Sequence, residues 1–121
     1  MIQRINPNRR YADAVVHQGV VHIIEVPVSE TDDIRTQVRE VLSALDATLA
    51  LADSSKDRLL MANIYLTDMA DYDALNEVWE AWLPPGQAPA RACVQVAGLA
   101  RPGWKVEIAI TAAVAADGDA L

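Results

Sequence analysis

Phenylalanine is absent from the 121-residue chain, and there is a single cysteine, Cys93. One cysteine excludes an internal disulfide and fits a reducing cytoplasm. Basic residues are also scarce: ten Lys and Arg stand against seventeen Asp and Glu, a formal charge of −7. Nucleic-acid binding ordinarily needs a basic stripe that displaces phosphate counterions. The only basic cluster is Arg4, Arg9 and Arg10 near the start, so no nucleic-acid partner is expected. No apolar run approaches the roughly eighteen residues that a membrane span requires, so none is expected to meet a bilayer. The opening MIQRINPNRRYAD has no apolar stretch of the secretory kind. Repeats, low-complexity tracts and long linkers are absent as well.

What remains is a chain that is 52% hydrophobic, enough to build a real core in one domain, expected over residues 1–114 with a frayed tail at 115–121. Residues 12–17 and 20–26 are rich in β-branched side chains and flank Gln18-Gly19, which predicts a hairpin with a tight turn. Residues 2–5 can add a short edge strand. Residues 32–51 place Ile34, Val38, Val41, Leu42, Leu45 and Leu49 at helical spacing, with Thr31 as the expected N-cap and Asp32 and Asp33 in the first turn. Residues 58–67 alternate, Leu60, Ala62, Ile64 and Leu66 on one face, and predict a strand. Tyr72, Leu75, Trp79 and Trp82 predict a second helix over 72–83, started at Asp71 and stopped by Pro84-Pro85-Gly86. Two more alternating strands are predicted at 90–97 and 105–114.

The order β-β-α-β-α-β-β predicts an α+β two-layer domain, a mixed sheet with two helices on one face. The bare face of such a sheet would carry apolar residues, because VVHIIEV and KVEIAITAAV are apolar on both sides, so another subunit is expected to cover it.

Two charges stand out in the last two strands. Arg91 and Cys93 share one face of the 90–97 strand, and Glu107 lies on the polar face of the last. If the two strands pair, Arg91, Cys93 and Glu107 can share a face of the sheet. Spacing leaves two readings open. One is a structural ion pair that contributes little stability. The other is a guanidinium fork for a carboxylate, with Glu107 handling a water or a proton.

Pro89-Ala90-Arg91-Ala92-Cys93-Val94, then Gly98-Leu99, then Val106-Glu107-Ile108 after six residues, resembles the signature of the reactive intermediate deaminase family, also called Rid or YjgF-like and formerly endoribonuclease L-PSP. Tyr11-x-x-Ala14-Val15, Pro27, Asp71-Tyr72 and Asn76-x-x-Trp79-Glu80-Ala81 extend the likeness over about residues 4–114, and the Asn/Trp pattern is most similar to the YoaB-like branch. The resemblance implies a chorismate-mutase-like subunit, a homotrimer with clefts between subunits, and hydrolysis of enamine or imine intermediates of the 2-aminoacrylate type to 2-oxo acids and ammonia without cofactor. It also implies that Arg91 binds the substrate carboxylate, Glu107 activates water, Cys93 lines the cleft, and Tyr11 and Asn76 shape it. Where such proteins carry Ser-Gly in the second strand, this chain has Ile24-Glu25. Ile24 would stand at the ligand without a hydrogen bond to give, and Glu25 would repel a carboxylate. That departure supports an alternative, a non-catalytic module that binds or senses a small carboxylate in the same cleft.

His17 and His22 fall diagonally on one face of the hairpin, with no third ligand at a suitable spacing, so no metal is expected. Cys93 has no His or Lys nearby in sequence to activate it. Tyr72, Trp79 and Trp82 read as core. Asn76 serves equally well as a tie to neighbouring backbone or as a ligand contact.

Overall fold

The computed structural model describes residues 1–31 and 33–115. In chain order these form β1 (Gln3–Ile5), β2 (Ala14–His17), β3 (Val20–Glu25), α1 (Ile34–Leu51), β4 (Leu59–Leu66), α2 (Tyr72–Trp82), β5 (Ala90–Gln95) and β6 (Val106–Ala113). One six-stranded sheet runs β1-β2-β3-β6-β4-β5, and the helices cover one of its faces. The two-layer α+β architecture expected from the element order is what forms, with β1 as a further edge strand. The tail from 116 onward lies outside the described residues.

The β2–β3 hairpin turns through Gln18 and Gly19, both at positive φ (50° and 79°), the two-residue turn whose twist matches the strands it joins. Helix α1 starts later than expected. Asp33, not Thr31, is the N-cap: its carboxylate accepts from the Thr36 amide at 2.8 Å. The helix ends where Asp53 turns left-handed (φ 56°), the amides of Asp53 and Ser54 donating back to Ala50 and Leu49 at 3.2 and 2.9 Å.

All six apolar positions of the α1 stripe are buried against Val21 and Ile23 of β3, Ala62, Ile64 and Leu66 of β4, and Val106, Ile108, Ile110 and Ala112 of β6. Leu60 is the exception to the expected β4 face. A bulge between Leu59 and Met61 shifts the register, burying Leu59 and leaving Leu60 exposed.

The larger correction concerns the last two strands, which do not pair. β6 enters the centre of the sheet between β3 and β4, antiparallel to both, whereas β5 lies at the far edge, parallel to β4. Register then separates the two charges. Arg91 stands beside Ala62 and Cys93 beside Ile64, on the helix-covered face. Glu107 stands beside Tyr65, whose neighbours Asn63 and Met61 face the open side. Arg91 and Glu107 of one chain therefore lie on opposite faces of the sheet.

The 98–105 connection into β6 is fixed from two sides. Gln37, fully buried on α1, donates from Nε2 to the Gly103 carbonyl (2.9 Å) and accepts from the Lys105 amide (2.8 Å). Gly103 itself packs so closely on residue 30 that an added Cβ would lie 1.8 Å from the Glu30 carbonyl oxygen. Gly103→Ala is thus expected to push the loop and the 30s segment apart, costing about 1–3 kcal/mol in denaturant unfolding. A variant as stable as wild type would contradict so close an approach.

Candidate functional site

The residues singled out in the sequence assemble into two groups, one on each face of the sheet. The first is built on the helix side, at the β5 edge. Arg91 is half-buried, and its Nη2 donates to the Tyr72 hydroxyl at 3.1 Å. Its guanidinium carbon sits 5.7 Å from the centroids of both the Tyr72 and Trp79 rings, a cation–π arrangement with each. Tyr72, Asn76 and Trp79 fall at i, i+4 and i+7 of α2, so Asn76 shares the stripe that holds the arginine. Asn76 is half-buried and makes no side-chain hydrogen bond among the described residues.

Cys93 lies two residues further along β5, also half-buried. Burial pushes its thiol above the ordinary value, with Arg91 pulling part of the way back. At neutral pH it is a protonated thiol, which suits a lining residue better than a nucleophile. No carboxylate of the described residues pairs with Arg91, so its remaining donors are not spent on a structural ion pair. Tyr72 and Trp79, read from the sequence as core, are also the platform of this arginine. Their helical spacing was visible, but their relation to Arg91 was not.

The second group lines a cavity of about 590 Å³ at the end of β3 and β6. Tyr11, Ile24 and Glu107 all face it, joined by Val15, His22 and Trp104. Ile24 is 62% exposed and Tyr11 65%, so both present their side chains to the cavity's open side. The position of Tyr11 comes from a closed turn. The Asn8 side chain accepts from the amides of Arg10 and Tyr11 (2.8 and 3.0 Å), and the Asn8 amide donates to the Tyr11 carbonyl at 2.8 Å. Trp104 was not singled out in the sequence. It follows Gly103 in a loop whose tie to Gln37 no local pattern announces.

His22 also faces the cavity, but it does not form a dyad with Glu107. It pairs with Thr111, four residues from Glu107 along β6, or about 13 Å at strand rise. His17 and His22 take the diagonal arrangement expected of the hairpin, and no group of three or more potential metal ligands occurs among the described residues.

Glu25 behaves differently from the sequence expectation. It follows Ile24 and so points to the helix side, where the Thr48 hydroxyl donates to its carboxylate at 3.2 Å. It touches the cavity at the strand end, but its carboxylate is engaged with α1 and not set beside Ile24 to repel a ligand. Burial raises its pKa, with Asp13 adding to the rise and the Thr48 bond opposing it. A carboxyl raised in the folded state is penalised when ionised, and the penalty vanishes below the unfolded value, where both states are protonated. Glu25→Gln is accordingly expected to raise the Tm at pH 7, with the gain disappearing below about pH 4. A gain that persists there, or a loss at pH 7, would show that the ionised carboxylate is not penalised.

The open face of the sheet between and around these groups carries exposed apolar side chains among polar ones such as His22, Asn63 and Thr111. Ile24, Met61 and Val94 are all close to half exposed or more, on three different strands. No helix of the described residues is long and apolar enough to cross a membrane.

Comparison with known proteins agrees with this architecture. The profile of the family described as Endoribonuclease L-PSP matches residues 1–114. A RutC family protein of Haemophilus ducreyi is 43% identical over 115 residues, 94% of this chain and 97% of that protein. The RutC family protein YoaB of Escherichia coli is 41% identical over 113 residues, 93% of this chain and 98% of that one. The crystal structure of a YjgF-family protein from Neisseria meningitidis superposes with a TM-score of 0.90 at 42% identity, covering 96% of this chain and 97% of that one. The likeness read from the sequence, including its YoaB-like character, is borne out, and the chain belongs to the endoribonuclease L-PSP family, with RutC, YoaB and YjgF proteins among its relatives.

Proposed function

We propose that the protein hydrolyses reactive enamine and imine intermediates of 2-amino acids to 2-oxo acids and ammonia, in a cleft completed between two copies of the chain. The observation that supports this most is the division of the site. A guanidinium held by Tyr72 and Trp79, with donors to spare, lies on one face of the sheet, and a carboxylate at an open cavity lies on the other. Neither half is a complete site. The exposed Ile24, Met61 and Val94 of the open face give a second copy a surface to cover, and cyclic association would bring the Arg91 of one copy to the Glu107 of the next. The arrangement we propose is a homotrimer, and the acidic, single-cysteine composition supports a cytoplasmic setting.

In this reading the enamine first tautomerises to the imine. Arg91 takes the substrate carboxylate through two parallel N–H donors, a geometry that an ammonium cannot offer. Glu107 orients a water against the imine carbon and accepts one of its protons as the C–O bond forms. The C=N π electrons move to nitrogen, which takes up the proton to give a carbinolamine. Collapse of that adduct breaks the C–N bond, leaves the C=O of a 2-oxo acid and releases ammonia. Water is the only co-reactant, and positioning supplies most of what a reaction already feasible in water needs.

Ile24, an exposed side chain in the cavity, favours a second reading in which the same cleft binds a small carboxylate without turnover. A coupled assay separates the two: threonine dehydratase generates the enamine, and the appearance of 2-oxobutyrate is timed. Acceleration by this protein supports hydrolysis. Binding of 2-oxobutyrate without acceleration supports the carboxylate-binding module.

A further inference from the structure

We infer that the cavity at Glu107 is built for a 2-imino or 2-oxo acid with a bulky apolar side chain, and that Trp104 and Ile24 are the residues that set this preference. The inference rests on the reading that this cavity is half of the substrate site. It departs from the three- and four-carbon intermediates that a dehydratase releases.

Size and chemistry both point this way. At about 590 Å³ on the single chain, before a second copy takes up part of it, the cavity has room beyond a three-carbon acid. Glu107, Asp13 and Glu25 supply its carboxylates, Glu25 bonded to Thr48, and Tyr11, Val15, Ile24, Val26 and Trp104 supply a broad apolar wall beside them. An exposed isoleucine and an indole in the lining of one cavity give a small polar acid little to bond, whereas they offer apolar contact to every added methylene.

The wall is also fixed in place. Trp104 sits between Gly103 and Lys105, whose carbonyl and amide are held by the fully buried Gln37 at 2.9 and 2.8 Å. Its own amide donates to the Arg101 carbonyl at 3.1 Å, and the Lys105 carbonyl accepts from Thr67 at 3.1 Å. A side chain carried on backbone tied at successive residues is a preformed surface, so discrimination does not have to be offset by ordering a loop.

The test is calorimetric titration of the intact protein with 4-methyl-2-oxopentanoate and with pyruvate, which share the carboxylate and ketone and differ only in side chain. The larger acid is expected to bind at least tenfold more tightly, since one methylene in an apolar pocket is already worth about that factor. Trp104→Ala and Ile24→Ser should each shrink the ratio to below about threefold. Trp104→Phe, which keeps an aromatic wall and the fold, should retain it. Equal binding of the two acids, or a ratio that survives both Trp104→Ala and Ile24→Ser, overturns the inference while leaving the proposed function in place. If neither acid binds, the inference is overturned, and the coupled assay alone decides the proposed function. A clear preference for the larger acid with no imine turnover in the coupled assay leaves the inference standing and removes the hydrolase.

Discussion

Arg91→Ala is expected to weaken binding of 2-oxobutyrate at least tenfold in calorimetric titration. A charge-assisted hydrogen bond contributes about 1.5–3 kcal/mol, and about 1.4 kcal/mol is a factor of ten, so losing a two-donor fork exceeds that factor even after partial compensation. The structure adds a reason to expect little else to change. Arg91 lies at the edge strand, held by one hydrogen bond to Tyr72 and by the faces of two rings, and anchors no buried carboxylate. Arg91→Lys should recover little, because an ammonium keeps the charge but loses the planar fork and its stacking. Tyr72→Phe, which removes only the hydroxyl that steadies the guanidinium, should cost a few-fold. If Arg91→Ala binds as well as wild type, the arginine is a structural partner of α2 and nothing more.

Glu107→Gln should behave in the opposite way. Binding of 2-oxobutyrate should be kept or improved, since the amide removes one negative charge from a cavity that receives an anion. Turnover in the dehydratase-coupled assay should fall by about 10²-fold or more, the usual contribution of a positioned base. Glu107 is half-buried at the open face and lies about 13 Å from the nearest cavity histidine, so no neighbouring base of that kind stands ready to replace it. A Glu107→Gln variant that turns over normally would leave the carboxylate with a structural role, and Arg91 with binding alone.

How much of this was legible in the sequence depends on how local the signal is. The α1 stripe from Ile34 to Leu49, the Gln18-Gly19 turn and the alternation of β6 are each set by residues a few positions apart, and each forms as read. The partner of β5 is set by something else. Its alternation is the same whether it pairs with β6 or with β4, and the parallel pairing with β4 that forms goes with the α2 crossover between the two strands. From that one long-range choice follows the placement of Arg91 and Glu107 on opposite faces.

Buried polar residues were illegible for a related reason. Gln37 and Thr48 sit at α1 positions that resemble helix surface, and their partners, Gly103, Lys105 and Glu25, lie far off in sequence. The site residues were legible through the signature that carries the resemblance. Trp104 and Tyr72 were not, because each acquires its role only when the loop and the helix dock.

The central claim is that Arg91 and Glu107 act together across two copies of the chain, and mixed oligomers test it most directly. Arg91→Ala and Glu107→Gln, carrying different affinity tags, are co-expressed, and the mixed species is isolated by purification on both tags in turn. In a head-to-tail ring, a site that pairs an intact Arg91 from one copy with an intact Glu107 from its neighbour forms in about a quarter of random interfaces, and more in oligomers selected to be mixed. The mixed species is therefore expected to regain about a quarter or more of wild-type imine hydrolysis, while each variant alone stays near background. Mixed oligomers no more active than either parent would contradict a site shared between copies and return Arg91 and Glu107 to separate roles within one chain.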